Sequence, residues 1–472
     1  TDVTLEGLRD LPPGSRLELA RVSAELDAKS LLSGTARVTE LTLDAPRLRV
    51  PVQRRRSAPV PARPADQADK LPIAMPDRVS IRDGTVVLFD ASSDFESHIT
   101  GIELRLIAAA DRRIQATAAA QIDGQPLTLD FETTLANGRA SQPLPLSIRL
   151  DAPGVLPEPL AATTELRLAG TLLRFNSLSG TIGKARFNGW ASVDLTTKPR
   201  AKLDADFERL ALAAPEATGP WSETKFDLRG LNYVDAEVSL SAAELRLSAL
   251  RMTPVAVKAR LDSGILTADF ANVGLYDGHG SGAVTLDVSG RTPTLGLRAD
   301  VEDARALPLL QSLADFDRLD ATMRARLALQ SQGDSPRAIT SNLAGTAFLD
   351  FRNGEIRNLN VAQMIRSLMS ATLSGWQADS TAATDLSQLS ASFQIDKGQA
   401  TTADLALAGP LVGVTGAGTV DLAARTIAFK MEPRLVLTLQ GQGGATDPVG
   451  LGVPVTVEGP WAEPRIYPEV AG

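Results

Sequence analysis

Apolar and polar residues alternate along most of this chain with a period of two. The stretch GIELRLI, which begins at residue 101, puts Ile102, Leu104 and Leu106 on one side of an extended chain and charged residues on the other. Such alternation is typical of β-strands with one buried face. Glycine, proline, Asn-Gly and Asp-Gly recur about every dozen residues and predict tight turns. We therefore predict a mostly β fold: an elongated, curled antiparallel sheet with a few short capping helices.

One segment toward the C-terminal end departs from the strand pattern. GTAFLDFRNGEIRNL, residues 345–359, alternates on both sides of Asn353-Gly354, which predicts a hairpin. The residues that follow have helical spacing and predict an amphipathic helix over 360–373. Its expected packing residues are Val361, Met364, Ile365 and Leu368. Other helical patterns lie near residue 30 and over 303–315, so helices are predicted to be few.

The organisation along the chain divides into three parts. Residues 1–50 are predicted to form an N-terminal cap of strands and a helix. Residues 51–72 are rich in proline and charge, which predicts a mobile loop, and its Arg54-Arg55-Arg56 triplet either contacts anionic lipid headgroups or stays solvated. Residues 73–472 are predicted to be a continuous run of strands that ends in the hairpin-helix unit, about 343–472.

A short motif recurs within the strands. GWASVD (189–194), GAVTLD (282–287) and GAGTVD (416–421) share a glycine, four residues and an aspartate. One interpretation is a strand-turn-strand unit that is used repeatedly. The other is chance similarity within a glycine-rich β sequence.

The composition narrows the classes of function. Hydrophobic residues make up 43% of the chain and aromatic residues 4%, so the apolar surface is aliphatic and better suited to contact flexible chains than to stack on bases or sugars. The net charge of −8 argues against a nucleic-acid partner, and the absence of cysteine excludes disulfides and thiol chemistry. No apolar run is long enough to span a membrane, and since the chain starts at Thr1, we expect that a targeting or anchoring segment has been removed.

Residues typical of catalysis or metal binding are scarce. The two histidines, His98 and His279, are far apart in the sequence. Gly183-Lys184 in GTIGKARF lacks the upstream glycine and the following Ser/Thr of a phosphate-binding loop. We expect no catalytic residues, no metal and no cofactor, and hence a protein that is not an enzyme.

A likeness to a known family is spread over five segments, at residues 19–50, 81–90, 272–290, 343–368 and 453–469. Its most specific parts are GTAFLDFRNGEIRNLNV and the closing PVTVEGPWAEP. In order and spacing these segments resemble the AsmA family of Gram-negative envelope proteins.

The resemblance implies a place and a partner. AsmA-like proteins are typically anchored in the inner membrane by one N-terminal helix, project into the periplasm, and belong with bridge-like lipid transfer proteins built from repeating β-groove units. It implies that residues 1–50 are a cap of AsmA type, that residues 73–472 form a continuous repeating β-groove, and that the anchoring helix is missing from this chain. The expected partners are phospholipid or another acyl lipid and, through the missing helix, the inner membrane.

We expect the aliphatic strand faces to line a groove for acyl chains. The lipid-groove candidates are Leu104, Leu106, Leu166, Leu168, Leu349, Phe351, Val453, Val455 and Val457. Leu104→Asp and Val455→Asp are expected to fold and to bind less lipid, because side chains that face a lumen lack tightly packed neighbours. The alternatives are a scaffold for outer-membrane protein or envelope assembly, with envelope proteins as partners, and, least favoured, an envelope hydrolase.

Overall fold

The computed structural model describes residues 3–6, 11–27, 37–54, 76–122, 124–135, 143–195, 198–212, 221–369, 382–435 and 454–468. Those residues contain 28 strands and three α-helices. The predicted mostly β, antiparallel fold with few helices is therefore confirmed. The predicted helix near residue 30, and residues 55–72 of the predicted loop, lie outside the described residues. None of the helices described here is long and apolar enough to cross a membrane.

The first strands are β1 (Val3–Glu6), β2 (Arg16–Leu19), β3 (Arg21–Leu26), β4 (Val38–Asp44), β5 (Arg47–Pro51), β6 (Arg78–Phe89), β7 (Glu96–Ala108), β8 (Arg113–Ile122), β9 (Gln125–Thr134), β10 (Leu144–Asp151), β11 (Leu160–Ala169), β12 (Leu172–Ile182), β13 (Ala185–Asp194) and β14 (Arg200–Leu212). A 3-10 helix at Arg229–Tyr233 precedes β15 (Asp235–Leu247), β16 (Leu250–Met252), β17 (Val255–Asp262), β18 (Ile265–Leu275), β19 (Gly278–Asp287) and β20 (Thr294–Arg305).

The remaining elements are α1 (Ala306–Ala314), β21 (Leu319–Gln332), α2 (Pro336–Ser341), β22 (Ala344–Arg357), α3 (Val361–Met369), β23 (Ala383–Asp396), β24 (Gln399–Ala408), β25 (Val412–Asp421), β26 (Thr426–Leu435), β27 (Val455–Pro460) and β28 (Arg465–Pro468). The predictions over 303–315 and 360–373 correspond to α1 and α3. The short helix α2 was not predicted.

The chain folds into two compact units. Unit 1 comprises Thr1–Ala213, Leu228–Glu244 and Lys258–Ile265, and unit 2 comprises Ala214–Asp227, Leu245–Val257 and Leu266–Gly472. In unit 1 the strands from β6 to β14 pair antiparallel in sequence order. In unit 2 the strands from β19 to β28 do the same. Each of these runs is a meander, as the regular turn signals indicate.

The N-terminal edge of the sheet in unit 1 is an exception to the antiparallel pattern. Strand β6 pairs parallel with β4 through its first half and parallel with β5 through its second half. Asp83 lies where the neighbour changes and adopts a positive φ of 51°, so Asp83-Gly84 is a kink inside β6 and not a turn between strands.

The predicted hairpin at Asn353-Gly354 is wrong. Residues 344–357 form the single strand β22, and Asn353, with a φ of 52°, is part of a β-bulge against β21. A Cβ at Gly354 would lie 2.5 Å from the Ala321 Cβ and would also overlap the Asp320 carbonyl oxygen, so only glycine fits. The Asn-Gly pair thus supplies the positive φ that a tight turn needs, but the strand uses it for a bulge and continues.

The recurring Gly-Asp motif occupies the same place in three strands. It forms the second half of β13, β19 and β25, each of which has ten residues and ends at the motif's aspartate. The motif therefore returns at every sixth strand. Two of the aspartates accept backbone N–H bonds in the following turn: Asp287 from Ser289, at 2.8 Å, and Asp421 from Ala424, at 2.8 Å. This placement supports a repeated unit over chance similarity.

The glycine of the motif lies where the next strand comes very close. A Cβ on Gly282 would be 2.5 Å from the Arg298 carbonyl oxygen and 3.3 Å from the Ala299 Cα. A Cβ on Gly416 would be 2.9 Å from the Lys430 carbonyl oxygen, and one on Gly189 would overlap that of Asp204. Strand glycines of this kind mark close backbone approach and allow sharp bending of a sheet.

The helices of unit 2 cover part of its sheet. Leu309 of α1 and Ile365 of α3 are 3% and 6% exposed and belong to one core cluster with Phe351, Leu386 and strand residues around them. Of the other expected packing residues, Met364 is also buried and Val361 is half-buried, while the Leu368 side chain lies outside the described residues. Gln363 is exposed. Over these strands the sheet therefore has a conventional packed core.

A buried hydrogen-bond cluster fixes the end of β6 in unit 1. The Asp90 carboxylate, 6% exposed, accepts bonds from Tyr233 Oη at 2.8 Å and from the Ser92 N–H and Oγ at 2.9 and 2.7 Å. The Tyr233 ring stacks on Phe95 with centroids 4.1 Å apart. Arg54 Nε donates to Tyr233 Oη at 3.4 Å, so the first arginine of the triplet is engaged with protein. Arg55 and Arg56 lie outside the described residues.

Substitution of the close-approach glycine tests the bend of the sheet. Gly282→Ala is expected to lower the free energy of unfolding by about 1–3 kcal/mol, because the new methyl group overlaps the backbone of β20. Gly296→Ala is the matched control, since the nearest heavy atom to a Cβ there, Thr285 Cβ, is 3.8 Å away. Denaturant unfolding followed by circular dichroism measures both variants. Equal destabilisation by the two substitutions would contradict this account.

The Asp90 cluster predicts a pH dependence of stability. Burial alone raises the pKa of the Asp90 carboxyl, but hydrogen bonds from Ser92, Tyr233 and Ser93 outweigh it and leave the pKa below its ordinary value of 3.8. The stabilisation is therefore fully present above pH 3.8 and is lost as the pH falls through the lower pKa of the folded state. Asp90→Asn is expected to cost about 1–3 kcal/mol at neutral pH, because it removes an acceptor from buried donors.

The measurement is denaturant unfolding of wild type and Asp90→Asn at neutral pH and at a pH below the folded-state pKa. The difference between the two proteins should shrink in acid. Asp111→Asn serves as the control, since the Asp111 side chain is 59% exposed. A difference that is the same at both pH values would exclude the carboxylate as its source.

Candidate binding face

One face of the sheet in unit 1 carries a continuous set of apolar residues. A first row crosses nine consecutive strands, each residue directly opposite the next: Val79, Leu106, Ala116, Phe131, Ile148, Ala162, Gly180, Phe187 and Phe207. A second row crosses eight strands beside it: Ile81, Leu104, Ala118, Leu129, Leu150, Leu160, Ile182 and Ala185. We call the face that these two rows define the apolar face.

The apolar face is only partly shielded from solvent. Leu104, Leu106, Phe131 and Ile148, in β7, β9 and β10, are half-buried. Other members of the same rows are buried, among them Ile182 and Phe187 at 6% and 5% exposure. The larger side chains in the core of a sandwich are usually buried to a few per cent exposure, as Leu309 is in unit 2. No α-helix lies in the described residues of unit 1. The partial burial therefore comes from neighbouring strands of the same sheet.

Polar residues on this face have their hydroxyl groups bonded to the main chain. Thr133 Oγ1 donates to the Pro145 carbonyl oxygen at 2.7 Å, and Thr164 Oγ1 donates to the Asn176 carbonyl oxygen at 2.8 Å. Thr133 is half-buried, so its methyl group is the part left to contact a ligand, whereas Thr164 is buried at 6% exposure. A hydroxyl that already has an acceptor costs little when apolar material covers it.

The opposite face of the same strands is polar. Gln115 Nε2 donates to Glu132 Oε2 at 3.0 Å, and Arg113 Nε lies 3.6 Å from Glu132 Oε1. We assign a shallow cavity of about 660 Å³ to this polar face. In each of the strands β8 to β12, two residues of the polar face and one residue of the first apolar row line the cavity. Its charged and hydroxyl groups, which include Asp130 and Arg149, suit an acyl chain less well than the apolar face does.

The structure places the predicted groove residues in three kinds of environment. Leu104 and Leu106 lie in the two rows of the apolar face, and Leu166 lies on the same face opposite Phe175. Leu168 is opposite Leu173 near the end of β11 and is 50% exposed. These leucines of unit 1 are therefore brought together on one sheet.

The candidates in unit 2 have packed protein neighbours. Phe351 is 6% exposed in the core cluster with α1 and α3, and Leu349 packs against that cluster. Val455 and Val457, 8% and 9% exposed, pack with Phe429 in a second cluster. Val453 lies outside the described residues. The expectation that Val455→Asp folds is wrong on this packing, since the carboxylate would be buried without a partner.

Several residues of the apolar face were not among the predicted site residues. Phe131, Ile148 and Phe187 lie in the first row, and Phe187 stacks on Phe207 with ring centroids 5.3 Å apart. The signal was present, because TLDFETT and LPLSIRLD alternate as clearly as GIELRLI does. What the sequence lacks is the register, which shows that these strands contribute to one row.

Comparisons with known proteins bear on the family. A family model described as the AsmA family matches residues 164–405. Protein AsmA of Escherichia coli (strain K12) is 23% identical over 318 residues, which cover 62% of this chain and 52% of that protein. The chain thus spans about half the length of this relative. No solved structure matches the chain.

The matched region begins in β11 and ends in β24, so it includes part of the apolar face, the helix α1 and most of the core cluster of unit 2. It covers just over half of the sequence. The relative's match supports the same assignment and an association with the Gram-negative envelope. The chain belongs to the AsmA family.

Proposed function

We propose that this chain is a lipid-binding or lipid-transfer protein of the Gram-negative envelope, which carries acyl chains on the apolar face of unit 1. The observation that carries the proposal is the apolar face, whose larger side chains in β7, β9 and β10 are half-exposed and which no α-helix covers among the described residues of unit 1. Contiguous apolar surface of that extent usually marks a binding site. Its side chains are mainly aliphatic, as acyl chains require.

The dimensions of the apolar face suit such a ligand. Nine strands at about 4.8 Å spacing make the first row about 38 Å long. The acyl chains of one membrane leaflet span about 15 Å, half of the ~30 Å hydrocarbon core. Each methylene removed from water contributes about 0.8 kcal/mol, so a chain that lies along several strands is bound favourably even when it is only partly covered.

The proposal is for a carrier and not for an enzyme. His98 lies 3.7 Å from Glu96 and His279 lies 3.4 Å from Glu302, all at exposed positions on the surface. Neither pair belongs to a group of three His, Asp or Glu side chains that could hold a metal ion within the described residues. Both histidines lie at solvated positions on the sheet, and these positions account for them without a catalytic role.

Periplasmic location and anchoring in the inner membrane are part of the same proposal. They follow from the AsmA family membership together with the resemblance noted in the sequence. An open apolar face is useful between two membranes, because a lipid then moves along protein and not through water. The proposed ligand is phospholipid or another acyl lipid.

One observation favours a second candidate function, a scaffold for envelope assembly. Strand β3 pairs with β4 alone among the described strands, and all six of its residues are exposed. An unprotected edge strand of this kind can accept an extended segment of another protein. On this alternative the partners are envelope proteins and the apolar face has no lipid.

Lipid recovery from paired variants tests the proposed function. Leu104→Asp places a charge on the half-exposed apolar face, where it stays hydrated, so the sheet should fold and bind several-fold less lipid. Thr117→Asp is the matched control: it adds the same charge on the polar face, between Arg105 and Asp130 in the adjacent strands. Circular dichroism measures folding, and mass spectrometry of extracted lipid measures the load.

Three results would count against the carrier function. Wild-type protein without co-purified acyl lipid would exclude it. Equal lipid recovery from Leu104→Asp and wild type would remove the apolar face as the site. Equal loss from Leu104→Asp and Thr117→Asp would show that any added charge disturbs the sheet, and the scaffold alternative would then be preferred.

A further inference from the structure

One end of the strands in unit 1 presents a line of exposed leucines. Leu135, Leu168 and Leu195 are 40%, 50% and 53% exposed, at the ends of β9, β11 and β13. They lie at the same end of the strands, where β9 connects to β10, β11 to β12 and β13 to β14. We call this edge, defined by the three leucines, the leucine rim.

Each leucine of the rim continues the apolar face. Leu168 follows Leu166 on that face with the two-residue spacing of a strand. Leu135 and Leu195 each extend their ladder by one residue, because their N–H groups donate to the carbonyl oxygens of Arg112 and Thr171, at 3.0 and 2.9 Å. The alternation therefore carries on to them, and they point to the same side as Thr133 and Val193.

Two arginines lie immediately behind the rim. Arg167 and Arg174 are directly opposite each other in β11 and β12, and both are exposed on the polar face. Like charges directly opposite across a strand pair are destabilising. Neither guanidinium has an ion-pair partner among the described residues, whereas nearby Lys202 is 2.8 Å from Glu237. The chain thus maintains an uncompensated basic pair next to exposed leucines.

These features fit one occupant, an anionic lipid surface. Exposed leucines insert into the interfacial region of a bilayer, and arginines one residue away meet its phosphates. A second copy of the chain fits less well, because a symmetric contact at this edge brings the arginine pairs together. The chain as a whole has a net charge of −8, so a local basic site is needed to hold this edge against an anionic membrane.

We propose that the leucine rim docks on an anionic lipid surface and is the place where acyl chains enter or leave the apolar face. The claim that acyl chains enter or leave at the rim rests on the proposed function, since it requires that the apolar face binds lipid. Docking of the rim does not require that the apolar face binds lipid. In the docked state, the apolar face is continuous with the hydrocarbon of the membrane.

Co-sedimentation of the full chain with vesicles tests the docking. The probes are vesicles of phosphatidylcholine mixed with phosphatidylglycerol and vesicles of phosphatidylcholine alone. The triple variant Leu135→Ser, Leu168→Ser, Leu195→Ser should bind the anionic vesicles at least about tenfold more weakly than wild type. The double variant Arg167→Gln, Arg174→Gln should lose the preference for anionic vesicles and most of the salt dependence.

Two matched controls distinguish the rim from the surface in general. Val155→Ser removes an apolar side chain that is 63% exposed in the β10–β11 connection, at the other end of the strands. Arg105→Gln, Arg149→Gln removes two exposed arginines of the polar face away from the rim. Both controls should bind vesicles as wild type does.

The proposal is overturned if wild type does not sediment with anionic vesicles, or if the leucine variant binds as well as wild type. It is also overturned if the leucine substitutions convert a dimer to a monomer in light scattering and vesicle binding is absent, since the occupant is then a second copy. Lipid extraction from the same preparations separates the two proposals. Bound lipid without vesicle binding excludes docking at the leucine rim and leaves the carrier function in place. Vesicle binding without bound lipid excludes the carrier function.

Discussion

No α-helix covers the apolar face among the described residues of unit 1, and the proposed binding of acyl chains depends on this exposure. Two rows of apolar residues cross eight and nine strands, and Leu104, Leu106, Phe131 and Ile148 keep part of their surface exposed. Leaving that surface in water has a cost of about 25 cal/mol for each Å². A ligand that covers the face would remove this cost, and the acyl chains of the proposed function are flexible enough to adapt to a surface made of many small side chains.

The two units treat the same strand pattern differently. In unit 2 the helices α1 and α3 lie over the sheet, and residues such as Phe351 and Val412 reach 6% and 1% exposure. Among the described residues of unit 1, no α-helix packs on the corresponding face of the sheet. The alternation of apolar and polar residues is alike in both, so the difference between a packed core and an open face comes from the connections between strands and not from the strands.

Much of the fold was readable from the sequence, and the limits have physical causes. The period of two predicted the strands, and helical spacing predicted α1 and α3, because burial on one side imposes both patterns. Asn353-Gly354 misled the prediction, since a positive φ serves a bulge as well as a turn. Leu104 and Val455 looked equivalent in sequence, yet one is half-exposed and the other is 8% exposed beside Phe429. Whether a helix or another strand packs on an apolar residue depends on the tertiary structure, and the alternation of apolar and polar residues within one strand does not encode it.

Site-specific photocrosslinking tests the central claim most directly. A photoreactive amino acid is placed at Phe131 or Ile148 on the apolar face and, for comparison, at Asp130 or Arg149 on the polar face of the same strands. After irradiation in cells, the crosslinked material is identified by mass spectrometry. The account predicts acyl lipid attached at Phe131 and Ile148 and little or none at Asp130 and Arg149. Lipid at all four positions alike, or protein in place of lipid on the apolar face, would contradict it.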